Sequence, residues 1–568
     1  MLIDNDTPPP TVPASGQSTP QFEVSDTLGI IFTPRRTMAS FDNLVALANH
    51  QERLRGARKM VWRDRGEPVA ELDSLKACLV HAAKGSFRSA TLAFNLRACV
   101  NLVLAIMRLK RVPRDYRFAM VKYAVFGKDT FRFAAMVGTF TGLYKFLINA
   151  LPILFPAMNP KTEKPKQNLK MDGPTQENPT ETVEITLPER KTRLALSAHA
   201  QLVFLRKKTQ RWHAALAGSI AGGLAIIWEK RSRRDIIAQQ LFVRGLQGSY
   251  NSFTTRHNIH VPYGDVLVFS LACGQIMYAF LLRPDTIDKS YRSWIGQAAK
   301  VPPECLRMTF GLSREQMFDV RDLDQICARS DITPTNLTDL KNLREQFFPS
   351  LDASMYIPRY APCSAVHPAL SSCMSVPLDR FFAVSKWMLP IYSALHFVPA
   401  ILFKWKAFTR DPGRVIVKSG LGSLRSSAFL GVFVVIYQTL FCAKHNLHRF
   451  LSVLKRSPSN PLLHIPQHVI DFLVSKSSFW LSGFAAGLSL FVEEKRRRGE
   501  LAMYVLPKGL ESLWITARGK GLVFRTGKWG ETLLATIGMG MVMSIYQNDP
   551  QHLSGLVRRI LYQFIGPN

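Results

Sequence analysis

Apolar residues gather into runs of about 15 to 21 positions separated by basic stretches, close to the roughly 17 to 25 residues that a helix needs to cross a bilayer. The first run covers Ala90 to Met107, the second Phe133 to Phe155, the fourth Val266 to Leu282 and the fifth Trp387 to Phe403. The third and seventh are WHAALAGSIAGGLAIIW and SGFAAGLSLFV, the sixth is centred on Gly431 and Tyr437, and the eighth on Gly540. This pattern predicts an all-α integral membrane protein of about eight transmembrane helices. The runs are short and glycine-rich, which suits a thin membrane or tightly packed, tilted helices.

Several runs carry small residues four apart: Gly138 and Gly142, Gly218 and Gly222, Gly483 and Gly487. Such pairs bare one face of a helix, so a second backbone can approach it, and in lipid that packing holds helices together. The third and seventh runs both end in a charged stop, Glu229-Lys230-Arg231 and Glu494-Lys495-Arg496. Arg132, Gly138 and Tyr144 recur at the same spacing as Arg425, Gly431 and Tyr437. Tyr263-Gly264-Asp265 recurs as Trp529-Gly530-Glu531, and Gly274 as Gly540. Ordered correspondences of this kind indicate an internal duplication, here two four-helix repeats. Four is even, so both repeats insert the same way up, unlike the inverted repeats of many ion-coupled transporters. The short loops 108–132, 230–263, 404–425 and 495–529 are the denser in Lys and Arg, which assigns them to the cytoplasmic-type face and the termini to the other.

The expected order is a disordered tail with a surface helix over 1–75, spans one and two over 76–156, and a mostly disordered linker over 157–210. Spans three and four follow over 211–283, then a soluble helical connector over 284–360 and spans five and six over 361–443. A loop at 444–477 leads to spans seven and eight with the C-terminal tail over 478–568. In the connector, SREQMFDVRDLDQICARSD and PTNLTDLKNLREQFF carry helix-start signals. The first 75 residues hold no apolar core of the signal-peptide kind, so no cleaved secretory leader is expected.

Charge changes the picture less than it first suggests. The chain has 73 Lys+Arg against 41 Asp+Glu, a formal charge of +32, which in a soluble protein would point to nucleic acid. Here the cations sit between apolar runs, so the partners expected are membrane lipids, above all anionic headgroups, with protein partners at the same membrane and no nucleic acid. Arg97 lies deepest in a span, with no acid in the same run; it is a candidate for lining a polar groove or holding a headgroup. Arg132 and Lys386, near span ends, are expected to snorkel. Glu229 and Glu494 are read either as interfacial carboxylates held by the next turn's cations or as paired acids facing a cleft between the repeats, with Arg231 and Arg496 as headgroup contacts. Asp265 and Glu531 suit helix N-termini.

No catalytic, cofactor-binding or metal site is expected. No Gly-rich phosphate loop, nucleophile elbow or zincin motif is present. His445-x-x-His448 and His464-x-x-x-His468 offer too few ligands for a di-iron centre. Cys363, His367 and Cys373 form a loose group for which a metal and a disulfide both remain open. Cys99, Cys273 and Cys442, inside spans, are read as small packing residues.

The segments PCSAVHPALSSC, DRFFAVSKWMLPIY and VEEKRRRGELAMYVLPKGLESLW resemble the transmembrane protein 135 family over nearly all of residues 75 to 565. Each four-span unit is more distantly similar to the import-channel family of the mitochondrial inner membrane. The first resemblance implies a non-enzymatic multi-pass protein of an organelle membrane, peroxisomal first and mitochondrial second, that supports lipid and fatty-acid homeostasis, and it suggests passage of a lipid or metabolite through a groove between the repeats. The second implies the alternative of a protein translocase or membrane scaffold. Neither sets the oligomeric state.

Overall fold

The computed structural model describes residue 72 and residues 74–109, 112–155, 210–259, 261–314, 317–347, 360–403, 405–456 and 465–566. Among them every regular element is helical and there is no strand. The tail 1–71 and nearly all of the 157–210 linker lie outside the described residues.

Helix α1 is Leu75–Arg108, α2 Arg114–Phe126 and α3 Lys128–Leu154. Ser74 caps α1 by accepting from the Ala77 amide at 3.2 Å, and the helix then runs 34 residues without a break. The span expected from Ala90 therefore begins at Leu75, because nothing between Leu75 and Ala90 breaks a helix. α3 lies along α1 through its glycines: a Cβ on Gly138 would sit 2.9 Å from that of Ala90, and one on Gly142 would sit 3.0 Å from that of Ser86. The Ser86 hydroxyl donates to the Gly138 carbonyl at 2.8 Å, a contact that only close backbones permit.

α4 (Arg211–Ala225) passes into a 3-10 turn, Ile226–Trp228, and after a corner at Glu229 the chain continues as α5 (Arg231–Arg256). α6 is Gly264–Leu282. The connector holds α7 (Lys289–Ala299), α8 (Pro303–Arg314), α9 (Val320–Cys327) and α10 (Pro334–Phe347). The last two fall in the segments with start signals; α7 and α8 were not foreseen individually. Next come the short turn α11 (Cys363–Val366), α12 (Val376–Phe403) and α13 (Trp405–Arg410). α14 (Pro412–Arg456) spans 45 residues, absorbing much of the loop expected at 404–425 and the start of that at 444–477. α15 (Gln467–Phe472) leads to α16 (Lys476–Ala486), which passes into a longer 3-10 stretch, Gly487–Val492. The chain closes with α17 (Lys495–Gly519), α18 (Gly530–Asn548) and α19 (Gly555–Phe564).

Among the described residues, five helical stretches are by length and composition fit to cross a membrane: Leu75–Arg108, Arg114–Leu154, Gly264–Leu282, Val376–Ile401 and Pro412–Lys455. The sequence reading had eight. The three others, α4, α16 and α18, fall short because α4 and α16 stop as α-helix after 15 and 11 residues and α18 mixes polar residues into its 19.

The packing crosses the chain. α4 does not lie on α6, its successor in the apolar runs, but on α18: a Cβ on Gly218 would meet the Met543 side chain at 2.6 Å, and one on Gly222 the Met539 side chain at 2.5 Å. α16 lies on α6 in the same manner, with Gly483 against Met277 and Gly487 against Ser270. α5 joins α4 on α18, where a Cβ on Gly538 would meet the Phe242 backbone at 2.6 Å; α17 joins α16 on α6, where Gly509 faces Ala272. α18 and α6 are thus each clamped by a pair of helices from the other half of the chain. The core follows these clamps: Tyr144, Ile148, Ala217, Ala221, Val542 and Met543 form one cluster, and Val266, Phe269, Val384, Phe429, Leu490 and Ala502 another.

Candidate functional site

Two corners and one cavity concentrate the polar chemistry. In the first corner the 3-10 turn after α4 carries Glu229 into the protein, 2% exposed. Its carboxylate accepts from the Lys230 amide at 2.8 Å and from Arg233 Nε and Nη2 at 3.0 and 2.6 Å, and Arg233 also reaches Asp129 of α3 at 3.3 Å. The Glu229 carbonyl accepts from Arg234 Nε at 2.8 Å. A carboxylate beside the first turn of α5 also meets the positive end of that helix.

The second corner repeats the bonds that hold the backbone, but its acid is Glu493. Its carboxylate, 2% exposed, accepts from the Glu494 amide at 3.1 Å and from Ser426 Oγ of α14 at 2.7 Å. Arg497 lies at 3.8 Å and is shared with His396 and Ser426, while Arg498 Nε donates to the Glu493 carbonyl at 3.0 Å. Glu494, singled out from the sequence, is exposed and takes the place of Lys230. The physical reason lies in the turn between. From Gly222 the first copy takes four α-helical and three 3-10 residues to its acid, and from Gly487 the second takes six 3-10 residues. At about 1.5 and 2.0 Å per residue both paths rise roughly 12 Å, so the tighter helix makes up for the residue fewer and the acid one position earlier reaches the same place.

Arg231 and Arg496 are exposed at the corners. Arg97 stands 6.0 Å from the Phe133 ring, its Nε buried and without a hydrogen-bond partner, and no ion pair among the described residues joins it to Glu229 or Glu494. The three are not brought together. Arg132 and Lys386 are exposed, whereas Lys145, one turn from Gly142, is buried with its Nζ 3.0 Å from His81 Nε2. Asp265 accepts from the Val266 amide at 2.9 Å at the start of α6.

The cavity, about 930 Å³, opens where α6 ends and the connector begins. Sequence builds it directly. Asp288 caps α7 by accepting from the Ser290 and Tyr291 amides, and the chain leaves α7 through Lys300 at φ +55° because Val301-Pro302-Pro303 disfavours further helix and Pro303 starts the next one. The two helices and the end of α6 enclose Phe280, Leu281, Leu306 and Phe310, with Trp387 of α12 as the opposite wall. Lys289, Arg292, Lys300 and Arg307 ring the opening. Arg307 is neutralised by Asp322 at 2.5 Å, a bond that raises the guanidinium above its ordinary value. Lys289 and Arg292 have no carboxylate partner among the described residues, and Lys300 Nζ lies 5.1 Å from the Trp387 ring centre. An apolar chamber with unpaired cations at its mouth suits an amphipathic anion. None of the residues singled out from the sequence lines it; its cations lie in the connector, which the sequence marks only as soluble and helical.

The third polar feature joins distant positions. Cys363, His367 and Cys373 stand together with Cys442 of α14, their ligand atoms all within 4.8 Å of one another. Contact with the Cys442 thiol and burial push the Cys363 thiol up. Burial acts to lower His367, but its contact with Cys363 and the Leu370 carbonyl leave it above the ordinary imidazole value. Cys442 is therefore more than the packing residue its place in an apolar run suggested.

The fold and these sites define a class, an all-helical protein with helices fit to cross a membrane and an amphipathic chamber at one helix end. Comparison goes no further: no family model, no curated protein and no solved structure matches the chain.

Proposed function

We propose that the chain is a multi-pass organelle membrane protein of the transmembrane protein 135 kind that binds and passes on a fatty acid or a similar anionic lipid. The observation that carries this reading is the chamber beside α6 and α12: its volume lies within the roughly 300 to 1,000 Å³ usual for ligand sites, its walls are aliphatic and aromatic, and its rim holds unpaired cations. A carboxylate or phosphate at the rim gains charge-assisted hydrogen bonds while its acyl chain leaves water. The chemistry is binding rather than catalysis.

Eight spans in two parallel repeats belong to the same proposal. α4 with its 3-10 turn and α16 with its own each rise roughly 28 Å, as α18 does, near the ~30 Å hydrocarbon core. The crossed packing then reads as two four-helix units that have exchanged their fourth helices, α6 and α18. A peroxisomal membrane is the favoured location and a mitochondrial one the alternative.

The test is binding of a fluorescent fatty acid to purified protein in lipid nanodiscs. Charge reversal by Arg292→Glu with Lys300→Glu is expected to weaken the acid at least about tenfold, a loss of about 1.4 kcal/mol, and to leave the matching fatty alcohol unchanged. Equal affinity of the wild type and the variant for the acid would overturn the reading.

A further inference from the structure

We infer that Cys363, His367, Cys373 and Cys442 form a tetrahedral Cys3His site for a zinc ion, which fastens the end of the connector to α14. The four donor atoms, Cys363 Sγ, His367 Nε2, Cys373 Sγ and Cys442 Sγ, lie within 4.8 Å of one another. Zinc bonds of about 2.3 Å to sulfur and 2.0–2.1 Å to nitrogen place tetrahedral donors about 3.5 to 3.8 Å apart. Cys373 Sγ and His367 Nε2 already stand at 3.4 Å, so closure needs small side-chain adjustments only.

The surroundings have the features of a ligating shell. His367 Nδ1 lies 3.0 Å from the Leu370 carbonyl. A carbonyl accepts only, so Nδ1 carries the proton and Nε2 presents its lone pair to the sulfurs, the tautomer that a metal-bound histidine requires. The Asn446 amide donates to Cys373 Sγ at 3.6 Å. The loop is held from behind by buried Asn336, whose Nδ2 donates to the carbonyls of His367, Pro368 and Leu370 at 3.3, 2.9 and 2.9 Å. Three thiolates and one neutral imidazole around a divalent ion leave one negative charge.

The ligands come from three places: the turn α11, the loop before α12 and the middle of α14. The soft sulfur-rich set selects zinc over calcium or magnesium, and a closed four-protein-ligand shell is the structural rather than the catalytic type. The site is separate from the lipid chamber and stands or falls independently of it.

The experiment is metal analysis of full-length protein purified without a histidine tag. About one zinc per chain is expected, falling to background in Cys363→Ser with Cys442→Ser and unchanged in Cys99→Ser, whose thiol is exposed on α1. Because the double variant can fail to fold, cobalt is also loaded into the wild type after chelation. Intense visible d–d bands with thiolate-to-metal charge transfer support a tetrahedral sulfur-rich site. Zinc at background in the wild type together with no such bands, or a disulfide among Cys363, Cys373 and Cys442 found by mass spectrometry of protein purified under reducing conditions, would overturn it.

Discussion

The two corners share a backbone and differ in how their acids are neutralised. Glu229 receives two guanidinium nitrogens of Arg233, and Arg233 is braced in turn by Asp129, so charge meets charge at 2.6 to 3.3 Å. Glu493 takes a serine hydroxyl at 2.7 Å, and Arg497 stays at 3.8 Å, divided between the acid, His396 and Ser426. One corner is a closed ion pair and the other a looser polar network open to rearrangement. Duplicated geometry therefore does not imply duplicated energetics: the backbone bonds of the corner hold its shape, and the side-chain partners are free to diverge.

Substitutions can sharpen or break that contrast. The largest effect is expected from Glu229→Gln, which leaves Arg233 with the half-exposed Asp129 as its remaining carboxylate. Breaking a buried pair costs roughly 3–5 kcal/mol, and the 26% exposure of Arg233 lowers the expectation to about 2–3 kcal/mol in thermal unfolding of the purified protein. Glu493→Gln keeps an acceptor for Ser426 and frees an Arg497 that is 39% exposed, so about 1 kcal/mol is expected. Equal losses would erase the distinction between the corners.

A loss between those of the two acids, or close to the larger, is expected from Gly538→Ala. Its Cβ would meet the Phe242 backbone at 2.6 and 2.8 Å, atoms that cannot rotate away, so overpacking of about 1–3 kcal/mol is expected for the α5–α18 contact. The matching clamp on α6 is milder, since a Cβ on Gly509 would meet Ala272 at 3.1 Å or more, and Gly509→Ala is expected to cost less in the same assay. Glu494→Gln, at the exposed position, is expected to fall within about 0.5 kcal/mol of wild type.

The smallest effect concerns pH, in the connector. Hydrogen bonds from Arg283 and Arg329 hold the Asp285 and Asp331 carboxyls below the ordinary value. A carboxyl lowered in the folded state contributes stability that is present above its unfolded pKa of about 4 and is lost as pH falls through the folded value. Both acids are about half exposed, so the loss on acidification is expected to be slight, read as a small drop in the unfolding midpoint between neutral and acidic pH that Asp285→Asn with Asp331→Asn removes.

How much of this was legible in the sequence depended on range. Gly138, Gly142, Gly218, Gly222, Gly483 and Gly487 all lie where helices touch, because a missing side chain has few other uses in an apolar helix. The partners of the last four were not legible, since small residues say that something approaches and not what. Glu494 was matched to Glu229 because Glu-Lys-Arg agreed as letters, while a 3-10 stretch had shifted the register by one. Cys442 was missed as a neighbour of Cys363 because α14 brings it back from far along the chain. The chamber was hidden for a related reason: its cations belong to α7 and α8, and its aromatic wall to α6, α8 and α12.

The proposed exchange of α6 and α18 between the halves is tested most directly by a disulfide across it. A Cβ built on Gly540 lies 3.5 Å from that of Ser219, within the roughly 3.5–4.5 Å that a disulfide spans. Ser219→Cys with Gly540→Cys, in a chain carrying a protease site between α10 and α11, is oxidised in the membrane, cut and run without reductant. Halves that migrate as one covalent species, separating on reduction, are the expected result. Halves that run apart, while both new thiols remain free to alkylation, would contradict the interlocked architecture.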